Sequence, residues 1–415
     1  MKVQLKEVFG ISTSIPVYTY VDRAKLDTRF QYLIKSERHI VIHGASKQGK
    51  TILRKKNFQE QDCIIVQCRS NSSLEQIYLE ILRQIGSEIP TELTKSVTLA
   101  AEGKTKASGG MKVPWIGSGS AEVEIAGNFE KETERVFEPL GQNPENFGYI
   151  INQIRDSKKR IIIEDFHYLL DEEKKRFAFD LKAFWDSSIF LIIIGIWATQ
   201  NLLTYYNGDL SGRVNEIDVQ WTDQELDTVL TQGEQALNIF FSQEIKEEIL
   251  ADANQNVGLL QRIAELFCFE CNILERPNQR VTLTDLDALY RARQTICNEE
   301  SVRYRQFLEA VRGGFRGSDS ELKVYQRIVE VCLKASDMEL CNGLNREEIQ
   351  TRINQSQPNV RPSDLSAALN RLDKLQGERS ISPLILSYNS DSRKVQLVDR
   401  ELLFFRKYTN HKLDL

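Results

Sequence analysis

Residues 44–51 read Gly-Ala-Ser-Lys-Gln-Gly-Lys-Thr, the spacing GxxxxGK[ST]. No other stretch constrains the fold as strongly, because the pattern works only as a turn between a buried strand and a helix. The flanks have that form. Residues 38–43 are a short, mostly apolar run fit for a strand, and residues 51–56 open a helical pattern. Gly44 and Gly49 permit positive φ and close backbone approach to a ligand. The N–H groups of Ala45, Ser46, Lys47 and Gln48 then face inward as an anion cradle, backed by the helix N-terminus. Lys50 reaches the β- and γ-phosphates of a bound ATP, and the Thr51 hydroxyl helps hold Mg²⁺.

The second signature is Arg160-Ile-Ile-Ile-Glu-Asp-Phe-His. An apolar strand ending in two acids suits Mg²⁺–ATP chemistry. Glu164 is expected on the metal side and Asp165 on the side of the attacking water. Further strand patterns lie at 39–43, 62–67 and 189–196, with helical patterns at 73–85 and 172–186 between them. This alternation predicts an α/β fold with a parallel sheet and crossover helices.

Composition removes several classes. The chain is 41% hydrophobic and 27% charged, with net charge −5, so the whole protein does not attract nucleic acid or an anionic membrane. The nine-residue apolar run 189–197 is too short for a membrane helix and reads as a buried parallel strand. The N-terminus lacks a signal-peptide shape, which predicts a cytoplasmic protein. Seven cysteines, mostly in apolar segments, and four scattered histidines read as core thiols without a metal pattern.

The domain reading is a phosphate-binding core over 1–221, a helical lid over 222–311, a glycine-rich linker at 312–320 and a C-terminal module over 321–415. Within the core, 91–140 reads as an insertion, either a β-hairpin on a long loop or a surface excursion. Thr222 and Glu225 predict a capping box at the lid's first helix. The last module shows helical patterns at 321–335, 346–354 and 363–376. Two strands follow, at 383–388 and 394–398. This is the outline of a winged helix-turn-helix.

Other residues carry narrower expectations. Arg213, in Ser-Gly-Arg, would reach the γ-phosphate of a neighbouring subunit, or else pair with a surface acid. Trp197, Thr199 and Gln200 follow the fourth strand, where a γ-phosphate sensor would lie, although Trp197 also suits the core. Arg262 would fold back over the nucleotide or remain a solvated helix arginine. On the 363–376 helix, Ser363, Ser366, Asn370, Arg371 and Lys374 lie off the leucine stripe and suit phosphate and base-edge contacts. Residues 321–415, however, hold 15 Lys and Arg against 13 Asp and Glu, a weak footprint for a duplex reader.

Taken together, the Val21-Asp22-Arg23 box, the phosphate loop, the acid pair, the Ser-Gly-Arg, the Gly-Leu-Leu-Gln of the lid and the winged-helix outline resemble AAA+ ATPases of the origin-recognition and STAND type. The resemblance implies that the segment around Val21, Asp22 and Arg23 lines the adenine pocket and that Arg213 is an arginine finger. The sequence departs from the family pattern at Ala198-Thr-Gln and at Gln261, where sensor residues are expected, which implies slow hydrolysis. The resulting expectation is an ATP switch that assembles into a homo-oligomer and acts on a separate partner or effector protein. Size and architecture also fit the ATPase component of an anti-phage or mobile-element system. The alternatives are a duplex-DNA-binding replication or transposition ATPase and a non-hydrolysing scaffold.

Overall fold

The computed structural model describes residues 2–12, 14–69, 72–87, 144–197, 201–312, 323–356, 360–379, 381, 383–390 and 392–409. The expected insertion at 91–140, the positions Ala198, Thr199 and Gln200, and residues 313–320 lie outside the described residues.

After a short helix α1 (Leu5–Val8) and helix α2 (Leu26–Ile34), the chain builds a five-stranded parallel sheet. Its strands are β1 (His39–His43), β2 (Cys63–Gln67), β3 (Arg160–Glu164), β4 (Ile192–Ile194) and β5 (Val214–Asp218). They lie in the order β2-β3-β4-β1-β5. Helices α3 (Lys50–Asn57), α4 (Leu74–Ile85), α5 (Pro144–Ser157), α6 (Asp171–Asp186) and α7 (Leu202–Tyr206) connect and cover them.

Strand alternation sorts the isoleucines into two cores. Val41, Ile161, Ile163 and Ile193 face α4 and α6, among Ile77, Phe177 and Phe184. Ile40, Ile42, Ile162, Ile192 and Ile217 face the opposite side, with Phe30 and Leu53. Each such side chain, fully buried, contributes about 1.5–3 kcal/mol. In the ladder, Ile40 pairs with Ile192 and His39 with Val214. All strands run the same way, so the loops after β1, β3 and β4 meet at one rim, where ligands bind in open α/β sheets. The apolar run expected as a strand over 189–196 contributes only Ile192–Ile194 to the ladder.

A middle module follows: α8 (Asp223–Leu237), β6 (Ile239–Phe241), α9 (Gln243–Ala253), α10 (Val257–Glu270), β7 (Val281–Leu283) and α11 (Leu286–Arg312). Its capping box forms as expected. Thr222 Oγ1 accepts from the Glu225 N–H (3.2 Å), and Glu225 accepts from the Thr222 N–H (2.8 Å). The all-helical expectation is corrected, because β6 and β7 pair as a parallel two-stranded ladder with Ile239 opposite Val281. The N-terminal boundary is corrected too. Leu5, Val8 and Phe9 are buried in this module's core, not the sheet's. The Leu5 N–H donates to Leu274 O at 2.9 Å. A Cβ on Gly233 would come within 2.1 Å of the Phe9 ring, so the glycine makes room for that phenyl.

The C-terminal module contains α12 (Val324–Lys334), α13 (Asp337–Asn342), β8 (Leu344–Asn345), α14 (Arg346–Ser356), α15 (Pro362–Leu369), α16 (Leu372–Glu378), β9 (Leu386–Asn389), β10 (Lys394–Leu397) and α17 (Glu401–Tyr408). The strands form an antiparallel sheet in the order β8-β10-β9. The helix expected over 363–376 is broken at Asn370–Arg371, where the Arg371 N–H turns back to Ala368 O at 3.1 Å. The break lets both Leu369 and Leu372 reach the core. Buried Gln376 acts as a strand partner: its Oε1 accepts from the Ile385 and Leu386 N–H groups, and its Nε2 donates to Leu386 O. The middle and C-terminal modules share one continuous hydrophobic core, in which Tyr304 and Phe307 of α11 meet Phe404 and Phe405 of α17. Among the described residues, no helix is long and apolar enough to cross a membrane.

Candidate functional site

The loop after β1 is shaped by its glycines. Gly44 has φ 138°, and a Cβ there would lie 2.6 Å from Val219 O. Gly49, with φ 82°, turns the chain into α3. Between them Lys47 also takes a positive φ of 58°. Lys50 is buried, and its ammonium donates to Gly44 O (3.1 Å) and Ala45 O (2.5 Å). Burial pushes its pKa down to about 7, and the charge of Asp165 pulls the other way. A buried ammonium bonded only to carbonyls is a receptor for an anion, since a phosphate would supply the missing negative charge. Thr51 stands exposed in the first turn of the same helix.

Of the Val21-Asp22-Arg23 box, only Arg23 touches the loop. Its Nη1 donates to Gln48 O at 3.0 Å while its guanidinium lies 4.3 Å over the Trp221 ring. Trp221 Nε1 donates to the same carbonyl at 3.2 Å. Val21 packs against the core of the middle module, and Asp22 accepts from the Asp27 N–H at the start of α2. The box therefore joins the loop to the middle module.

Both acids stand at the rim, held from different sides. Glu164 Oε1 accepts from Arg54 Nε at 3.2 Å, which ties it to α3, the helix that carries Thr51. Asp165, at φ 57°, accepts from Gln67 Nε2 at 2.8 Å. Arg54 is a contact that the sequence reading missed; it offsets the charge of the acid expected to hold the metal. The hard oxygen donors of Thr51, Glu164 and Asp165 fit Mg²⁺. No group of three or more His, Cys, Asp or Glu side chains with metal-site geometry occurs among the described residues.

The remaining candidates separate. Trp197 is buried and stacks on His43 with centroids 5.8 Å apart, so it is a core residue. Arg213 O accepts from the His39 N–H at 2.9 Å, which places it at the amino end of β1, opposite the loop. Its guanidinium lies 4.6 Å over the Trp185 ring and donates to Asp209 O. Its own subunit's phosphate loop is out of its reach. Arg262 is a correction. It donates to both Glu299 oxygens at 2.8 Å and to Glu265 at 3.1 Å, so it braces α11 and does not cover the loop.

The largest omission of the sequence reading is a contact across the chain. Lys47 Nζ lies 2.8 Å from both Glu401 oxygens, at the start of α17. Glu401 is buried; burial and Asp399 push its carboxyl up, and Lys47 opposes them. Around this pair, the Gly258 N–H donates to Lys47 O (3.2 Å) and Gln48 Nε2 to Gln255 O (3.0 Å). Arg400 donates to Gln255 Oε1 at 2.9 Å. The phosphate loop is thus bound to both other modules. No local signal marks this, because Lys47 fills a variable position of the motif.

Comparison with known proteins agrees with the geometry. Residues 33–201 match the family described as AAA domain. The Walker-type ATPase of Pyrococcus abyssi has a similar structure, with TM-score 0.53 and 14% identity, over 96% of this chain and 99% of that one. The Cdc6p structure of Pyrobaculum aerophilum is 14% identical over 98% of each chain, with TM-score 0.38. A STAND protein with a tetratricopeptide-repeat sensor from Pyrococcus horikoshii is 11% identical over 98% of this chain and 44% of that one, with TM-score 0.35. The likeness to the Pyrococcus abyssi protein shows a shared fold. A search of curated proteins by sequence finds no match. The chain has a P-loop NTPase fold. Within it, residues 33–201 are the part that is similar to the AAA domain family.

Proposed function

We propose that the protein is an ATP-binding and ATP-hydrolysing switch of the AAA+ type, in which the nucleotide state of the phosphate loop is passed to the C-terminal module. The observation that carries this reading is the buried Lys50 ammonium, which has only carbonyl partners and shares its rim with Asp165. The reaction is ATP plus water to ADP and phosphate. The loop N–H groups and Lys50 bind the β- and γ-phosphates. Thr51 and Glu164 would hold Mg²⁺, which when bound neutralises charge on the transferring phosphoryl group. Asp165 orients the water and accepts its proton. Arg213 of a neighbouring subunit completes the site, so turnover requires assembly. The middle module is the lid, and the C-terminal helices with the β9–β10 hairpin are read as a winged helix.

The switch reading over a duplex-DNA reading is supported by the position of Asn370 and Lys374. Both line a cavity between the sheet module and the C-terminal module, so they face the sheet module across it. The partner is therefore read as a separate protein.

Steady-state turnover and ATP binding of the full chain, with and without duplex DNA, test this. Lys50→Ala abolishes both, and Asp165→Asn abolishes turnover alone. Arg213→Ala spares binding and slows turnover by roughly 10³-fold. Lys50→Ala with binding and turnover intact would overturn the site assignment. DNA-stimulated turnover would overturn the protein-partner reading.

A further inference from the structure

A cavity of about 530 Å³ separates the segment after Asp165 and helix α7 from α16 and the β9 strand. It lies away from the phosphate loop, none of whose residues lines it. The sheet module contributes Tyr205 and Tyr206, with ring centroids 5.8 Å apart, and Tyr205 is 53% exposed. The C-terminal module contributes Asn370, Lys374 and Tyr388.

Most charged groups of the walls already have partners. Lys174 pairs with Asp171 at 3.2 Å. Asp373 accepts from Ser387 Oγ (2.6 Å) and the Tyr388 N–H (3.1 Å). Glu172 stands exposed at the rim. The Asn370 amide and the Lys374 ammonium, both exposed, make no side-chain hydrogen bond or ion pair among the described residues. An exposed tyrosine face with a second ring tilted 55° to it, and an amide and a cation unpaired among the described residues, in a space of this size suit a planar heterocycle carrying an anion.

We propose that this cavity is a second nucleotide-class site. It takes one nucleobase against Tyr205 and Tyr206, with the base edge on Asn370 and the phosphate on Lys374. Its source is either a free nucleoside monophosphate or the end of a single strand; the chemistry is the same. An occupant would touch both the segment that follows Asp165 and the C-terminal module, and so would report to the ATP site.

Calorimetric titration of the full chain carrying Lys50→Ala, which silences the phosphate loop, tests this with AMP, GMP, CMP and UMP separately. A short 5′-phosphorylated oligothymidylate is the second probe. Binding of at least one probe is expected. Added Tyr205→Ala should weaken it about 5- to 150-fold, the range for loss of one stacked base. Lys374→Ala should weaken it several-fold. These positions are exposed, so the variants fold, and a thermal melt checks it. A monophosphate that binds identifies the free nucleotide as source; binding of the oligonucleotide alone identifies a strand end. No binding of any probe at millimolar concentration overturns the proposal. Binding indifferent to both Tyr205→Ala and Lys374→Ala also overturns it, and neither result touches the ATPase reading.

Discussion

The C-terminal module meets one neighbour through a shared apolar core with polar ties around it, and the other through polar contact and a cavity. Against the middle module it shares one hydrophobic core, with Tyr304 and Phe405 4.5 Å apart, bordered by polar ties such as Lys407 to Asp252 (2.8 Å) and Tyr304 to Asp399 (2.8 Å). Against the sheet module it has Lys47–Glu401 and a cavity. Apolar burial contributes about 25 cal/mol per Å² and is lost only on unfolding. In an ion pair whose carboxylate is buried, desolvation offsets much of the attraction, and the partly exposed Lys47 can exchange it for water or phosphate. The middle and C-terminal modules should therefore move as one body, and the boundary that opens is the polar one over the phosphate loop.

The shared core offers the strongest way to break this comparison. Phe404→Ala should cost about 3–5 kcal/mol and lower the stability of both modules together. Denaturant unfolding followed by hydrogen exchange would show it. If the C-terminal module unfolds alone while α8 to α11 stay protected, the one-body argument fails.

Lys50 provides the next largest effect, through pH. Its folded pKa, about 7, lies below the usual 10.5, so the folded state resists its charge. The stability difference is absent above pH 10.5, grows as pH falls toward 7, and is constant below that. Lys50→Met should therefore be more stable than wild type by a few kcal/mol below pH 7, with the gain vanishing near pH 10.5. ATP binding at pH 8 should take up protons in wild type and none at this residue in Lys50→Arg. Calorimetry in buffers of different ionisation enthalpy measures this; equal uptake in both proteins would show that Lys50 is already charged.

The polar junction should respond differently. Glu401→Gln keeps the shape of a buried group that already disfavours ionisation, so stability should change by about 1 kcal/mol or less. Release of Lys47 should still change ATP affinity several-fold, as equilibrium titration would show. A large stability loss with unchanged ATP affinity would make Lys47–Glu401 a structural tie only. Arg262→Ala is the smallest effect, below about twofold in ATP affinity, because its partners Glu299 and Glu265 lie within the middle module. A tenfold loss would restore it to the nucleotide.

The legible parts of this chain are those governed by near neighbours in sequence. Gly44, Gly49, Lys50 and Thr51 could be placed because a strand, a tight turn and a helix N-terminus follow from adjacent residues. Thr222 and Glu225 could be read as a cap because they stand three apart. The β6–β7 ladder was missed because three residues carry no usable period. The break at Asn370 was missed because the leucine stripe continues through it. The roles of Arg54 and Arg262 depended on which acid the packing brings nearest, and charged residues offer many such partners.

Sequence alone determined that a loop of phosphate-binding spacing turns between strand and helix, since backbone sterics and a glycine pattern settle that within eight residues. Only the tertiary structure decided that the loop is held from the far end of the chain, because Lys47 and Glu401 are 354 positions apart. It also decided that Asn370 and Lys374 face the ATPase sheet across a cavity. Long-range pairing of this kind follows from how whole modules dock, and no local periodicity encodes it.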